Sequence, residues 1–305
     1  MLRTILIPLD GSPLAERALP IGCDLARRAG GRVHLVRAHI PIGVIGATAE
    51  GAILSPDLLA ADEALRLRAE EYLATQAVRL ASEWGVSVRP HVAEGNPAGL
   101  ITETAESVDA DLIVMTTHGA GGFTPGWLGS VADSVIRHSY RPVLVLPEND
   151  THLGEPFTPR TMLVTLDGSE RSDAIVPVAR DFAVAFGADL SFVRIVAPQV
   201  PNDIISTVNE GDLDPFGIHA EVVAAKKALD ATVAAMEATG IRASATVEVD
   251  RSPTRRLLEH IKETDPDCVA IATQGRGLSR LFLGSVADKL IRTAGHPVLV
   301  LRPRA

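Results

Sequence analysis

The chain of 305 residues has few aromatic residues, two cysteines and no excess of basic charge. Aromatic residues make up only 4% of it, so leucine, isoleucine, valine and alanine have to build its cores. The formal net charge of −9 argues against non-specific nucleic-acid binding, which needs clustered lysine and arginine. The sequence shows no basic amphipathic segment and no apolar run long enough to span a bilayer. We therefore expect neither nucleic acid nor a membrane as a partner.

The two cysteines, Cys23 and Cys268, fall at unrelated points of the sequence. Cys23 lies on a predicted helix and Cys268 in a predicted strand, so we interpret both as reduced packing residues. A strand-like run follows Met1 directly, without the charged region or cleavage site of a signal peptide. The expected location is the cytoplasm.

The sequence contains one pattern twice. Residues 3–12 read RTILIPLDGS, and residues 160–169 read RTMLVTLDGS. Further along, Asp111 matches Asp267, and a Gly-Ser pair at 129–130 matches one at 284–285. Each copy spans roughly 150 residues, the size of an ordinary domain rather than of a solenoid unit. We expect domains at 1–148 and 160–305, joined by a polar, proline-containing linker at 149–159.

Short apolar runs alternate with helical patterns in both copies. The predicted strands of the first copy cover residues 5–9, 33–38, 86–92, 112–115 and 142–146, and those of the second cover 162–166, 190–195, 243–249, 268–272 and 298–301. The helices predicted most clearly cover residues 13–29, 56–84, 97–107, 130–139 and 218–239. This alternation predicts an α/β fold, with two tandem open parallel five-stranded sheets that carry helices on both faces.

The stretch from Asp111 to Leu146 carries the strongest functional signal. A strand-like run ends at Met115, glycines follow at 119, 121, 122, 126 and 129, and Ser130 then opens a helix as its predicted N-cap. The start of a helix attracts anions, so strand, glycine loop and helix predict a cradle for phosphate. If the first and fourth strands are neighbours, this loop and Asp10 face one crevice at the carboxyl ends of the strands.

Together these features resemble a tandem member of the universal stress protein family, over nearly the entire chain. The nucleotide-binding members carry a glycine, two residues, a second glycine, nine residues, and then glycine followed by serine or threonine. The first copy has Thr116, Gly119 and Gly129-Ser130 at these places, and the second has Ala272, Gly275 and Gly284-Ser285 with eight residues in the gap. The resemblance implies a Rossmann-like fold of the adenine nucleotide alpha hydrolase type.

The resemblance also implies an adenine nucleotide as ligand: ATP, or else ADP or AMP, with Mg²⁺ as an ion that would accompany it. By analogy Asp10 sits beside the adenosine, with Ser12 on the same turn, and Ala38 packs against the base. The other implied contacts of the first copy are Pro8, Leu9, Met115, Thr116, His118, Gly119, Gly129, Ser130 and Val131. The matching positions of the second copy are Thr165, Leu166, Asp167, Ala272, Thr273, Gly275, Gly284, Ser285 and Val286.

Other interpretations remain open. Asp10 and Asp167 also suit a structural role, since Asp-Gly-Ser is ordinary turn chemistry. Side chains at Thr116 and Ala272 add a Cβ where the family allows the backbone to approach closely. The sequence has no P-loop lysine and no Ser–His–Asp set, its histidines form no metal-like cluster, and Gln274 replaces His118 in the repeat. A regulatory or stress-response protein that binds nucleotide, a scaffold of the same fold that acts through protein contacts, and a slow nucleotide hydrolase all remain.

Two further expectations concern the relation between the copies. The last strand of each copy, 143–146 and 298–301, is apolar, and an uncovered apolar edge strand is a liability. We expect the two domains to pair through these strands, as the family commonly dimerises, and a homodimer of the whole chain is a further option. We also expect the first site to bind more tightly, because the shorter second loop redirects several N–H groups, and exposed Arg276 and Arg280 compensate only partly.

Overall fold

The computed structural model describes residues 2–42, 55–117, 128–147, 157–198, 218–273, 284–293 and 295–304. The chain divides into two compact units, Met1–Phe157 and Thr158–Ala305. Most of the predicted linker at 149–159 lies outside the described residues.

Unit 1 is an open parallel sheet of five strands with helices between them. Its strands are β1 Thr4–Pro8, β2 Arg32–His39, β3 Ser87–Glu94, β4 Leu112–Thr116 and β5 Val143–Leu146, in the order β3-β2-β1-β4-β5. Its described helices are α1 Pro13–Glu16, α2 Ala18–Arg28, α3 Pro56–Trp84, α4 Pro97–Ser107 and α5 Ser130–His138. Every strand pair in the unit is parallel, which confirms the predicted fold class.

Unit 2 repeats this architecture. Its strands are β6 Thr161–Thr165, β7 Asp189–Val196, β8 Ala243–Val249, β9 Cys268–Ala272 and β10 Val298–Leu301, in the order β8-β7-β6-β9-β10 and again all parallel. Its described helices are α6 Glu170–Asp173, α7 Ile175–Phe186, α8 Ile218–Glu237, α9 Pro253–Thr264 and α10 Ser285–Thr293.

The central strands β1 and β4 are almost entirely buried. All five residues of β4 are buried, as are four of the five in β1, which is why these strands appear in the sequence as continuous apolar runs. The largest fully buried side chains are leucines and isoleucines in unit 1, joined by Phe182 and Phe192 in unit 2. Cys23 and Cys268 are buried and free, and burial raises the pKa of the Cys23 thiol to about 12. Both cysteines therefore act as small packing residues.

An aspartate ties the start of the first strand to the start of the fourth in each unit. One carboxylate oxygen of Asp111 accepts the N–H groups of Arg3 and Thr4, both at 2.8 Å. Asp267 does the same in unit 2, and also accepts the hydroxyl of Thr161 at 3.0 Å. Burial acts to raise the pKa of Asp267, but these hydrogen bonds outweigh it and hold the pKa below its usual value. The match between Asp111 and Asp267 is therefore structural.

The structure differs from the sequence prediction at an interruption in the first helix and at the cap of α5. The helix predicted over residues 13–29 is interrupted at Arg17, so α1 is a single turn capped by Ser12, whose hydroxyl accepts the N–H of Ala15 at 3.1 Å. The prediction that Ser130 caps α5 is wrong. Gly129 is the N-cap residue, with non-helical backbone angles (φ −59°, ψ 146°), and Ser130 is the first helical residue. The Ser130 hydroxyl is therefore not used to cap its own helix.

Candidate functional site

The sheet of unit 1 changes its winding direction at β1. This strand pairs with β2 on one side and with β4 on the other, so the first and fourth strands are neighbours. Connections that leave β1 and β4 consequently diverge to opposite faces and leave a crevice at the carboxyl ends of the two strands. The sequence placed Asp10 and the glycine loop after Met115 at these two ends. Asp10, Thr116 and Thr117 line the crevice, whereas residues 118–127 of the loop lie outside the described residues.

The crevice contains a cavity of about 390 Å³. That volume is within the range of sites for small molecules and cofactors, roughly 300–1,000 Å³. One part of the wall is apolar, and its residues are Leu9, Val36, Ala38, Ile40, Pro97, Ile101 and Met115. The remaining lining residues include five polar side chains, and they are Pro8, Asp10, Ala15, Arg37, Thr116, Thr117, Gly129, Ser130, Val131 and Ala132.

Most candidate residues of the first copy come together here. Nine of them line the cavity: Pro8, Leu9, Asp10, Ala38, Met115, Thr116, Gly129, Ser130 and Val131. Ser12 does not line it; its N–H donates to Asp10 Oδ1 at 2.9 Å, and its hydroxyl caps α1. His118 and Gly119 lie outside the described residues. Ser12 therefore acts on the cavity only through the shape of the turn that carries Asp10.

The polar end of the cavity is the N-terminus of α5. The N–H of Gly129 donates to the carbonyl oxygen of Thr117 over 2.8 Å, which fixes the helix start beside the end of β4. The first bond within the helix runs from the N–H of Asp133 to the carbonyl oxygen of Gly129, at 2.9 Å. The N–H groups of residues 130–132 therefore have no partner inside the helix, and the described residues provide no side-chain cap for it. These three residues line the cavity, so their N–H groups are available to an anion.

Several lining residues were not predicted from the sequence. Arg37 lies just before Ala38, and Thr117 follows Thr116. Both could have been found by including the sequence neighbours of the predicted residues. Pro97 was recognised only as a helix start, although it and Ile101 form part of the apolar wall. Nothing in a single sequence shows that α4 reaches this cavity, because that contact depends on how the helix packs on the sheet.

The candidate residues of the second copy lie at the equivalent strand ends. Thr165 and Ala272 are the last residues of β6 and β9, which are neighbours. The N–H of Thr273 donates to the carbonyl oxygen of Leu301 at 2.7 Å, as Thr117 does to Leu146 at 3.0 Å. Gly284 precedes α10, which begins at Ser285 and continues with Val286, and Gly275 lies outside the described residues.

The turn after β6 is held by hydrogen bonds of Asp167. Asp167 Oδ1 accepts both the N–H of Ser169 at 2.9 Å and its hydroxyl at 2.6 Å. The N–H of Asp167 donates to the hydroxyl of Ser172 at 3.2 Å, at a position where unit 1 has Ala15. Leu166 continues the strand by donating to Val193 O at 2.9 Å. The Asp167 carboxylate is therefore engaged by its own turn.

Three further features of the described residues concern metal binding, membrane-spanning helices and the charges of the cavity. They contain no group of three or more His, Cys, Asp or Glu side chains that would hold a metal ion. Within the described part of the chain, no helix has the length and apolar character needed to cross a membrane. The cavity lining contains one carboxylate, Asp10, and one guanidinium, Arg37, in the part that the structure describes.

The fold and this site together define the class of protein. Each unit is a Rossmann-like open parallel sheet, and unit 1 has a cavity where the winding direction changes. The chain belongs to the universal stress protein family: the family model matches it twice, over residues 1–147 and 159–302. This confirms the predicted tandem arrangement.

The relatives support the same assignment. A universal stress protein of Methanocaldococcus jannaschii is 36% identical over 144 residues, which cover 47% of this chain and 81% of the relative. A universal stress protein of Mycolicibacterium smegmatis is 25% identical over 304 residues, covering 98% of this chain and 97% of the relative. A crystal structure of a universal stress protein from Archaeoglobus fulgidus is similar with a TM-score of 0.71 and 20% identity, and the match covers 99% of each chain. At that identity the structural likeness shows the shared fold.

Proposed function

We propose that the chain is a cytoplasmic universal stress protein whose unit 1 binds an adenine nucleotide and that acts in a regulatory or stress-response role. The observation that carries the proposal is the cavity of unit 1, whose lining combines apolar side chains with the first turn of α5. A nucleotide has the matching parts, an apolar base and anionic phosphates.

The apolar wall suits the base. Ala38, Ile40 and Pro97 offer uncharged, apolar surface, and burying it against a purine is favourable by roughly 25 cal/mol for each Å² removed from water. Thr116, the last residue of β4, and Thr117 also line the cavity, and their hydroxyl groups suit a ribose. Asp10 is an acceptor for ribose hydroxyls at the same place, which supports the implied position beside the adenosine.

The start of α5 suits the phosphates. Residues 130–132 line the cavity with N–H groups that have no partner inside the helix, and the Ser130 side chain brings a further donor to the lining. Hydrogen bonds to a charged group contribute about 1.5–3 kcal/mol each, more than bonds between neutral groups. ATP, ADP and AMP share these requirements. Mg²⁺ would be held mainly by the phosphates of ATP or ADP, because the described residues bring a single carboxylate to the cavity.

The experiment that tests the proposal identifies small molecules that purify with the chain. Mass spectrometry of the supernatant after denaturation should detect ATP, ADP or AMP in amounts comparable to the protein. Calorimetry on the stripped protein should then show binding of ATP with Mg²⁺. Absence of both signals at millimolar nucleotide would contradict the proposal and favour the scaffold alternative.

Hydrolysis is a separate question, which the same protein answers. A slow hydrolase would release phosphate from bound ATP, and Asp10→Ala would abolish that release at full occupancy of the site. Release that survives Asp10→Ala would exclude Asp10 as the group responsible. The pairing of the two domains through β5 and β10, a homodimer and the role of each site residue likewise stay predictions.

A further inference from the structure

We propose that Arg37 is a positioning residue that holds the Asp-Gly-Ser turn of residues 10–12 at the edge of the cavity, and that Arg194 does the same for residues 167–169. The contact itself is a property of the fold, whereas its effect on ligand affinity rests on the proposed function. The turn matters because it carries Asp10, the carboxylate that the described residues contribute to the cavity.

The backbone brings Arg37 to the turn. The N–H of Leu9 donates to the carbonyl oxygen of Val36 at 2.8 Å, so the chain leaves β1 directly beside the residue that precedes Arg37. Gly11 has a φ of +87°, a conformation that side chains rarely adopt. A Cβ built on Gly11 would lie 3.2 Å from Arg37 Nη1 and 3.4 Å from Arg37 Cζ, and its three nearest atoms all belong to this guanidinium. Glycine therefore leaves a space that the arginine fills.

The guanidinium is supported from α3 as well. Arg37 Cζ lies 5.0 Å from the centre of the Tyr72 ring, within the range of a cation–π interaction. The Tyr72 hydroxyl donates to Glu16 Oε1 at 2.7 Å, and the Gln76 amide donates to the same oxygen at 3.2 Å. Burial and this bond to Glu16 raise the pKa of the Tyr72 hydroxyl above its usual value, so it remains a donor. The ring is thus held in place, and with it the arginine.

Unit 2 repeats the contact with a different support. The N–H of Leu166 donates to the carbonyl oxygen of Val193 at 2.9 Å, and Arg194 is the next residue. Gly168 has a φ of +84°, and the three atoms nearest to a Cβ there again belong to the arginine guanidinium. Here the arginine lies 3.7 Å from Glu221 of α8, in place of an aromatic ring. The arginine–glycine contact is therefore present twice, although the residue that supports the arginine differs.

The physical role of the arginine follows from the flexibility of the glycine that it contacts. A glycine in a turn has more accessible backbone conformations than any other residue, so an unsupported turn would move and carry Asp10 with it. A planar guanidinium packed against the glycine restricts this movement without occupying the place of Asp10. Because ligand affinity depends on preorganised groups, loss of the arginine should weaken binding through Asp10.

Hydrogen exchange tests the contact without any nucleotide. The probe is the N–H of Ser12, which donates to Asp10 Oδ1 at 2.9 Å, measured by NMR in the full chain. We expect Arg37→Ala to speed its exchange by about tenfold or more, because the turn then opens more often. Arg32→Ala is the matched control, since Arg32 lies at the other end of the same strand and should leave this N–H unchanged. Equal exchange in Arg37→Ala and the wild-type chain would overturn the proposal.

Calorimetry with ATP and Mg²⁺ tests the effect on the site. We expect Arg37→Ala to weaken binding roughly tenfold, and Arg37→Lys not to restore it, because lysine lacks the planar face. Asp10→Ala with Arg37→Ala should bind as Asp10→Ala alone does, since the arginine acts through that carboxylate. Additive losses would instead show that Arg37 acts independently of Asp10, as a direct contact with the ligand would, and would overturn the proposal. If Arg37→Ala speeds the exchange of the Ser12 N–H but the wild-type chain binds no nucleotide, the contact is supported and the proposed function is refuted.

Discussion

The imidazole rings of His34 and His91 lie stacked between β2 and β3, with His34 Nδ1 2.7 Å from His91 Nε2 and the ring centres 5.0 Å apart. One of these nitrogens has to donate and the other accept, so the pair is stable only while at least one ring is neutral. His34 Nε2 is also buried and has no hydrogen-bond partner among the described residues. Burial, followed by His91, Arg32 and Arg89, lowers the pKa of His34 to about 4. Burial followed by Arg89 also lowers the pKa of His91.

The first prediction is therefore a loss of stability in mild acid. The unfolded chain protonates His34 near its ordinary pKa of 6.5, whereas the folded chain does so only near 4. Stability should consequently fall as the pH drops from about 6.5 to about 4, by about 1–3 kcal/mol from this residue. The free energy of unfolding, measured with urea at several pH values in this range, should depend less steeply on pH in His34→Gln than in the wild-type chain. His138→Gln, at an exposed position of α5, is the control and should leave the slope unchanged.

The second prediction compares two helical glycines. Gly22 of α2 packs on β1, and a Cβ there would lie 3.0 Å from Ile7 Cγ1 and 3.3 Å from Ile5 Cγ2. Gly22→Ala should lower the free energy of unfolding by about 1–3 kcal/mol through overpacking. A Cβ on Gly99 of α4 would meet no atom within 4 Å, so Gly99→Ala should be neutral or stabilise by up to about 1 kcal/mol. Thermal unfolding of both variants checks this, and similar effects at the two positions would contradict it.

The third prediction concerns the Ser130 hydroxyl, which lines the cavity and does not cap its own helix. Ser130→Ala should weaken nucleotide binding by about 1–3 kcal/mol, through a lost hydrogen bond to a charged group. Its unfolding free energy should change little, because the helix keeps Gly129 as its N-cap. Ser130→Thr is the conservative control and should retain binding. An affinity in Ser130→Ala equal to that of the wild type would place the phosphates elsewhere.

The fourth prediction concerns the difference between the two sites. The loop of the second copy is one residue shorter than the loop of the first. We expect unit 1 to bind nucleotide more tightly than unit 2, so calorimetry on the full chain should show one tight site. Ser130→Ala should weaken that site, and Ser285→Ala, its matched control, should leave it unchanged. The reverse pattern would show that Arg276 and Arg280 outweigh the shorter loop.

The sequence by itself determined the repeat and the fold class, and the family resemblance added nine of the residues that line the cavity. Buried parallel strands have to be continuous apolar runs, and glycine or serine has to follow where a strand gives way to a helix, so local pattern locates Asp10, Met115 and Gly129 correctly. The helix interruption at Arg17 and the cap at Gly129 were not predicted, because helix ends depend on hydrogen bonds that local propensity does not fix.

Only the tertiary structure decided which of these segments meet. The pairing of β1 with β4, which creates the crevice, joins strands that are distant in the sequence, and many pairings would satisfy the same apolar pattern. The contact of Arg37 with Gly11 and the stacking of His34 on His91 depend on that strand order in turn. Such contacts form because the whole chain has to bury its apolar faces at once, so no single segment of the sequence contains them.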